Sequence, residues 1–173
     1  MSDTVKINID GNEYEVPAGM NLVDAAKWYA GNDIPVFCYH PKMDPVGMCR
    51  MCLVELGTPG RDRATGEIML NDDGTPLIRY FPKLQTACTT TVSDGMHIKT
   101  NTEQVTEARK DVLEFLLTSP SLDCPICDKG GECTLQNLTM RHGPESSSMY
   151  FDAKQQLATH YPLCDLVYLG RER

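Results

Sequence analysis

Three cysteines crowded into a stretch without periodicity constrain this chain more than any other feature. Cys38, Cys49 and Cys52 fall between Ile34 and Leu53, where Pro35, Pro41 and Pro45 exclude both a helix and an unbroken strand. With the distant Cys88 they spell C-x10-C-x2-C-x35-C. Any fold for this sequence must carry a long ordered loop. Four more cysteines follow, Cys124, Cys127, Cys133 and Cys164, making eight in 173 residues. Disulfides are the expectation for such a count only in an oxidising compartment. The start, Met1-Ser2-Asp3-Thr4-Val5-Lys6, has no apolar core of an export signal, and no strictly apolar run exceeds four residues. The expectation is a protein of a reducing compartment, without direct membrane insertion, whose thiols hold metal or do thiol chemistry.

Two irons need four thiolates around a compact rhomb, which a loop can wrap and a regular helix or strand cannot. Three thiols on one loop plus a distant fourth is how a plant-type [2Fe–2S] cluster is held, although the first spacer here is longer than in that pattern. Gly47, just before Cys49, permits unusual backbone angles beside inorganic sulfide. Backbone N–H groups freed in such a loop stabilise an anionic cluster. A structural zinc ion on the same cysteines is the chemical rival, but zinc sites favour two tight pairs and this set has one. A redox-active Cys49/Cys52 dithiol lacks the βαβ surroundings of a thioredoxin-like motif. Arg50 and Met51 read as solvent-facing and packing residues, and His40 and His97 as structural.

Around this loop the pattern reads as strands and helices mixed. Val5, Ile7 and Ile9 alternate with polar residues, Gly11-Asn12 makes a turn and Glu13–Val16 returns, which predicts a β-hairpin. Asn21 is placed to cap a helix through Ala30, with Leu22, Ala25, Ala26 and Tyr29 on one face and Gly31 as the stop. Leu53–Leu56 reads as a strand leaving the cysteine loop. Residues 57–80 are a turn-rich excursion in which Glu67–Leu70 and Leu77–Phe81 are expected to pair as a surface hairpin, and Gly95–Lys99 is a closing strand. Asn101, with Gln104 at the reciprocal position, is expected to cap a helix whose stripe is Val105, Ala108, Val112, Phe115 and Leu116. Since all four cysteines of the first set precede that helix, their site is expected to form without it. A short helix carries Leu135 and Leu138, and the tail from Arg141 shows only weak pattern.

The second set, Cys124, Cys127 and Cys133, spells C-x2-C-x5-C, and Gly130-Gly131 lets the chain fold tightly back. Three thiolates are an incomplete set for a cubane, which needs a ligand on each of four irons. Cys164 is the spare thiol; its bland reading is a small buried hydrophobe. His142 and His160 are further donors, and Ser119 and Ser121 poor ones.

Pro35-Val36-Phe37-Cys38, Gly47-Met48-Cys49-Arg50-Met51-Cys52-Leu53-Val54-Glu55 and Pro82-Lys83-Leu84-Gln85-Thr86-Ala87-Cys88 resemble the amino-terminal module of one family. It is the large iron–sulfur subunit of bacterial NADH:quinone oxidoreductase, respiratory complex I. NAD-linked [FeFe]-hydrogenases and some formate dehydrogenases share the module. The resemblance implies an α+β chain: a β-grasp ferredoxin-like [2Fe–2S] domain over 1–100, then a small helical Cys-rich [4Fe–4S]-type domain over 101–140. Residues 141–173 would connect to a further module. It implies that Cys38, Cys49, Cys52 and Cys88 bind [2Fe–2S], and that Cys124, Cys127 and Cys133 bind [4Fe–4S]. In the family the second cluster's fourth ligand is a histidine four residues before the first cysteine, in a His-Pro-Leu-Asp-Cys run. Here the run is Pro120-Ser121-Leu122-Asp123-Cys124, and Pro120 has no donor atom. The expectation is a non-standard fourth ligand, with Cys164 the candidate, or else an open iron, a [3Fe–4S] cluster or no cluster. His160-Tyr161-Pro162-Leu163 and Leu169-Gly170-Arg171-Glu172-Arg173 resemble the stretch ahead of a further cysteine-rich module, so the chain is expected to be the front part of a longer protein.

The charge excludes one large function class. Lys plus Arg number 16 against 24 Asp plus Glu, a net −8, whereas phosphate binding needs a concentrated basic face. No G-x-G-x-x-G, P-loop, H-E-x-x-H or nucleophile elbow is present, so no catalytic residue is expected in this chain alone. The resemblance implies an electron-relay subunit of an oxidoreductase. It would take electrons from a flavin-bearing NADH dehydrogenase subunit, among other peripheral-arm subunits, and pass them towards quinone. Its place would be cytoplasmic, on the peripheral side of the inner membrane. The alternatives are the equivalent relay of a hydrogenase or formate dehydrogenase, and a zinc-stabilised interaction module.

Overall fold

The computed structural model describes residues 4–61, 68–71, 74–120, 124–146, 148, 160–164 and 167–170. The chain divides into two compact units, Met1–Arg109 and Lys110–Arg173. In the first, strands β1 (Thr4–Ile9) and β2 (Asn12–Pro17) pair antiparallel, with Ile9 opposite Asn12. The turn is therefore Asp10-Gly11, one residue earlier than the sequence pattern placed it, with φ of 50° and 92°. Positive φ at both positions matches the twist of the flanking strands. Asp10 is held there because its carboxylate accepts from the Thr100 N–H at 2.7 Å and from Asn32 Nδ2 at 2.9 Å.

Helix α1 (Leu22–Tyr29) begins as expected, with Asn21 Oδ1 accepting from the Val23 N–H at 2.9 Å. It buries Leu22, Val23, Ala25 and Ala26, while Tyr29, expected on the same face, stays exposed in the last turn. Strands β3 (Leu53–Pro59), β4 (Ile78–Tyr80), β5 (Gln85–Thr86) and β6 (Met96–Lys99) complete a sheet of order β2-β1-β6-β3-β4, with β5 on β3. Strand β6 runs parallel to β1, from Ile7↔Met96 to Ile9↔Ile98. A hairpin, a helix packed on the sheet and a parallel closing strand make this the β-grasp arrangement. Ile7, Ile9, Val16, Leu22, Val54 and Ile98 form the heart of its core, each contributing about 1.5–3 kcal/mol by burial.

The 57–80 excursion differs from its expected form. Ile78–Tyr80 joins the main sheet, pairing with Gly57–Pro59, and the local links are a Leu70↔Pro76 bridge and a Leu77 N–H donating to the Met69 carbonyl at 2.8 Å. Glu67 lies outside the described residues.

Helix α2 (Glu103–Leu116) is capped by Thr102, not Asn101. Thr102 Oγ1 accepts from the Val105 N–H at 3.3 Å and donates to Glu55 Oε1 at 2.6 Å. The buried positions are Val105, Arg109 and Leu113, while Phe115 is 74% exposed. From Val105 the buried line thus runs through Arg109 and Leu113, one residue past Ala108 and Val112 of the expected stripe; a charged residue in its middle hides it from an apolar pattern. The second unit holds a 3₁₀ turn at Cys124–Ile126 and helix α3 (Thr134–His142), which buries Leu138. Strands β7 (His160–Cys164) and β8 (Val167–Gly170) form a hairpin that the weak tail pattern did not announce. Among the described residues, no helix is long and apolar enough to cross a membrane.

Candidate metal centre

Cys38, Cys49 and Cys52 sit on the aperiodic loop between α1 and β3, as the prolines require. Cys88 lies in a 3₁₀ turn, Ala87–Thr89, directly after β5. Pairing of β5 on β3, with Leu53 opposite Thr86, sets Cys88 beside Cys52, and the Ala87 N–H donates to the Cys52 carbonyl at 3.0 Å. Helix α1 fixes the other side. Asn21 uses Oδ1 as the helix cap and donates from Nδ2 to the Cys88 carbonyl at 2.6 Å, so one side chain ties the helix start to the fourth thiol's turn.

The four thiols gather in two pairs. Cys38 and Cys49 are within hydrogen-bonding reach of each other, and so are Cys52 and Cys88. Among the described residues no three metal-ligating side chains converge for a single ion, here or elsewhere. Cys52 and Cys88 are buried, while Cys38 and Cys49 are half-buried. The site therefore has an inner and an outer edge. Exposed Val46 and Met48 flank the outer one.

Electrostatics differ along the set. Burial pushes the Cys38 thiol up, but N–H groups of Cys49, Met48 and Cys38 itself, with the Cys49 thiol, donate to it and carry it below the ordinary value. Burial leaves Cys49 raised, although the Met51 N–H points at its sulfur from 3.5 Å. Burial, then the hydrogen bond with Cys52 and the charges of the other three thiolates, pushes Cys88 up to about 12. Four thiolates in this space repel one another unless cationic metal stands between them. The N–H groups around Cys38 come from a loop bent at two left-handed residues, Gly47 (φ 66°) and Arg50 (φ 60°). A Cβ on Gly47 would stand 2.9 Å from Thr89 Cγ2, so glycine is required for the loop to close over the Cys88 turn. Paired thiols, a loop of inward N–H donors and a side-chain-free approach fit a dinuclear iron–sulfur group.

Arg50 is exposed and Met51 fully buried, as read from the sequence. His40 is exposed, and its Nδ1 accepts from the Lys42 N–H at 3.1 Å. Two residues at the site escaped the sequence reading. One is the Asn21 contact to Cys88. The other is Arg109, buried on α2, whose Nη2 donates to the Leu53 carbonyl at 3.1 Å, one residue beyond Cys52. Its spacing of four from Val105 was visible, but an arginine is not expected on an inward line.

In the second unit Cys124 is exposed and Cys127 and Cys133 are half-buried. The turn is tight: the Gly130 N–H donates to the Cys127 carbonyl at 2.9 Å, and a Cβ on Gly130 would meet the Cys124 carbonyl at 2.9 Å. Cys133 is the N-cap residue of α3, and the Gly131 N–H donates to Gln136 Oε1 at 3.0 Å. Cys164 is exposed on β7. Ser121 to Asp123 and the side chain of His160 lie outside the described residues.

Comparison with known proteins bears on both sets. Residues 2–103 match the family model described as "2Fe-2S iron-sulfur cluster binding domain". The chain belongs to that family. Beyond this iron–sulfur domain, residues 109–148 match the "NADH-ubiquinone oxidoreductase-G iron-sulfur binding region". The chain is 39% identical to NADH-quinone oxidoreductase subunit 3 of Thermus thermophilus over 98% of its own length and 23% of the relative's. It is 38% identical to the mitochondrial NADH dehydrogenase [ubiquinone] iron-sulfur protein 1 of Solanum tuberosum, over 83% of its length and 16% of the relative's. It thus spans about a fifth of the length of these relatives. Its fold is shared by an NAD+-reducing [NiFe]-hydrogenase in the H2-reduced state, with TM-score 0.63 and 27% identity over 84% of this chain and 51% of that one. The resemblance carried by the cysteine motifs is borne out.

Proposed function

We propose that this chain is an electron-relay part of an NADH:quinone oxidoreductase, taking single electrons from a flavin-bearing partner and passing them towards quinone. The observation that carries the reading is the gathering of Cys38 with Cys49, and of Cys52 with Cys88, on a loop whose N–H groups turn inward. These four residues would hold [2Fe–2S], and Cys124, Cys127 and Cys133, with a non-standard fourth ligand, [4Fe–4S]. Such clusters supply one-electron chemistry when bound. The chain's own residues set the surroundings. Inward N–H groups at Cys38 offset thiolate charge, the buried Cys52/Cys88 side excludes water, and the half-buried Cys38/Cys49 side leaves a short path to a partner.

We read residues 1–100 as the [2Fe–2S] domain, 101–140 as the [4Fe–4S] domain and 141–173 as a connector. The chain would work on the cytoplasmic, peripheral side of a membrane complex. A second reading, the equivalent relay of a hydrogenase, is favoured by the NAD+-reducing hydrogenase fold. The test is anaerobic reconstitution of the full chain with iron and sulfide, followed by EPR after reduction. A rhombic [2Fe–2S] signal together with a cubane signal is expected. A colourless protein that binds only zinc would overturn the reading.

A further inference from the structure

Arg109 is 6% exposed, and a guanidinium withdrawn from water so far needs an opposite charge nearby. Among the described residues no carboxylate forms a salt bridge with it; the two salt bridges are Lys6–Glu15 and Lys27–Asp33. Its Nη2 is spent on the Leu53 carbonyl, and its Nε is a buried donor without a partner. Two groups in the first unit act on the guanidinium when they carry charge: Cys52, next to the Leu53 carbonyl that the guanidinium bonds, and, more weakly, Asp10. Asp10 is committed elsewhere, accepting from Thr100 and Asn32. The cysteine side is left as the main counter-charge.

We propose that Arg109 is a positioning residue of the first iron–sulfur site: its permanent buried charge raises the reduction potential of the cluster held by Cys38, Cys49, Cys52 and Cys88. The inference rests on the [2Fe–2S] reading above. One electron taken from an external one-electron reductant adds one negative charge to the thiolate site, and no bond forms or breaks. A fixed cation on the Cys52 side favours the added charge, and net charge and burial are among the factors that set such potentials. The Leu53 carbonyl fixes where that cation sits, because Leu53 opens β3 next to Cys52. Arginine suits the place because it stays charged in a buried setting.

The test compares the reconstituted full chain with its Arg109→Lys, Arg109→Gln and Arg109→Met variants, by redox titration of the reduced [2Fe–2S] EPR signal. The two neutral variants should take up the electron at least tenfold less readily, a fall of about 59 mV for a one-electron couple, while the lysine variant stays near wild type. Neutral variants with full iron content and the wild-type midpoint would overturn the proposal. If the neutral variants do not fold, the wild-type chain carries the decision. Grown with arginine labelled with 15N in the guanidino group, it should show by pulsed EPR a weak 15N coupling to the reduced cluster that Arg109→Lys removes. No such coupling would put the guanidinium too far from the electron and would equally overturn the proposal. A wild-type chain without any [2Fe–2S] signal would instead sink the cluster assignment on which it rests.

Discussion

Gly47 governs how closely the cysteine loop approaches the Cys88 turn. Its φ of 66° and the 2.9 Å contact that a Cβ would make with Thr89 leave no relaxed place for a side chain. Gly47→Ala should cost about 1–3 kcal/mol in urea unfolding and lower the iron bound per chain; wild-type values for both would refute the steric account. Tyr39 offers a second test. Its hydroxyl donates to Asp24 Oδ2 at 2.6 Å, and burial, then that bond and the Asp24 charge, push the phenol up to about 12 from 10. Between those values the unfolded chain gives up the proton and the folded chain keeps it. The group's stabilising contribution is thus complete below pH 10 and lost as pH rises through about 12. In the metal-free protein Tyr39→Phe should remove a step near pH 12 from the tyrosinate absorbance titration. At the second site, Pro120→His should slow loss of iron in air, read as a smaller [3Fe–4S] EPR signal; unchanged lability would argue that histidine at that position is not the missing ligand. The thiols and Gly47 were legible because their spacing on one irregular loop is a local feature of the sequence. Arg109 was not, since nothing local to α2 shows that its side chain reaches the Leu53 carbonyl next to Cys52.

At the scale of the element, helix α2 shows what a local reading can and cannot decide. Asn101 and Thr102 are both good cap residues, and the choice between them falls to Glu55 on β3, which accepts from Thr102 Oγ1 at 2.6 Å. No window around residue 101 contains Glu55. Thr102→Ala should therefore cost about 1–2 kcal/mol, while Thr102→Ser keeps both bonds and most of the stability; equal losses in chemical denaturation would disprove the capping role. Strand β4 is a second case of distance winning. Leu77–Phe81 has a suitable local partner in sequence, yet Ile78–Tyr80 takes the edge of β3, where Tyr80 also lies beneath the Lys99 ammonium at 4.3 Å. Helix α1, whose cap and buried face are both local, was readable except at Tyr29 in its last turn.

Across the whole molecule, the first compact unit extends past the last cysteine of the first set, into helix α2. Thr102, Val105 and Arg109 all belong to the first compact unit, so the expectation that the site is independent of the helix can be put to a direct test. A chain ending at Lys99 should melt lower than one ending at Leu116 and release iron faster to a chelator; equal melting temperatures would show that the helix is dispensable. Domain order was legible from where the cysteine sets fall, but the pairing of thiols was not, because Cys88 reaches Cys52 only through β5 on β3. The parallel seam between β1 and β6 has a further consequence, for how the protein is made. Ile7 cannot meet Met96, nor Asn21 the Cys88 turn, until nearly a hundred residues exist. Parallel pairing at such separation is slow to form. At roughly 5–20 residues per second of synthesis, the loop thiols spend seconds without their fourth member, open to any stray cation or oxidant. If these four thiols hold the proposed cluster, its assembly is a matter of timing: a complete set of ligands exists only after the sheet closes.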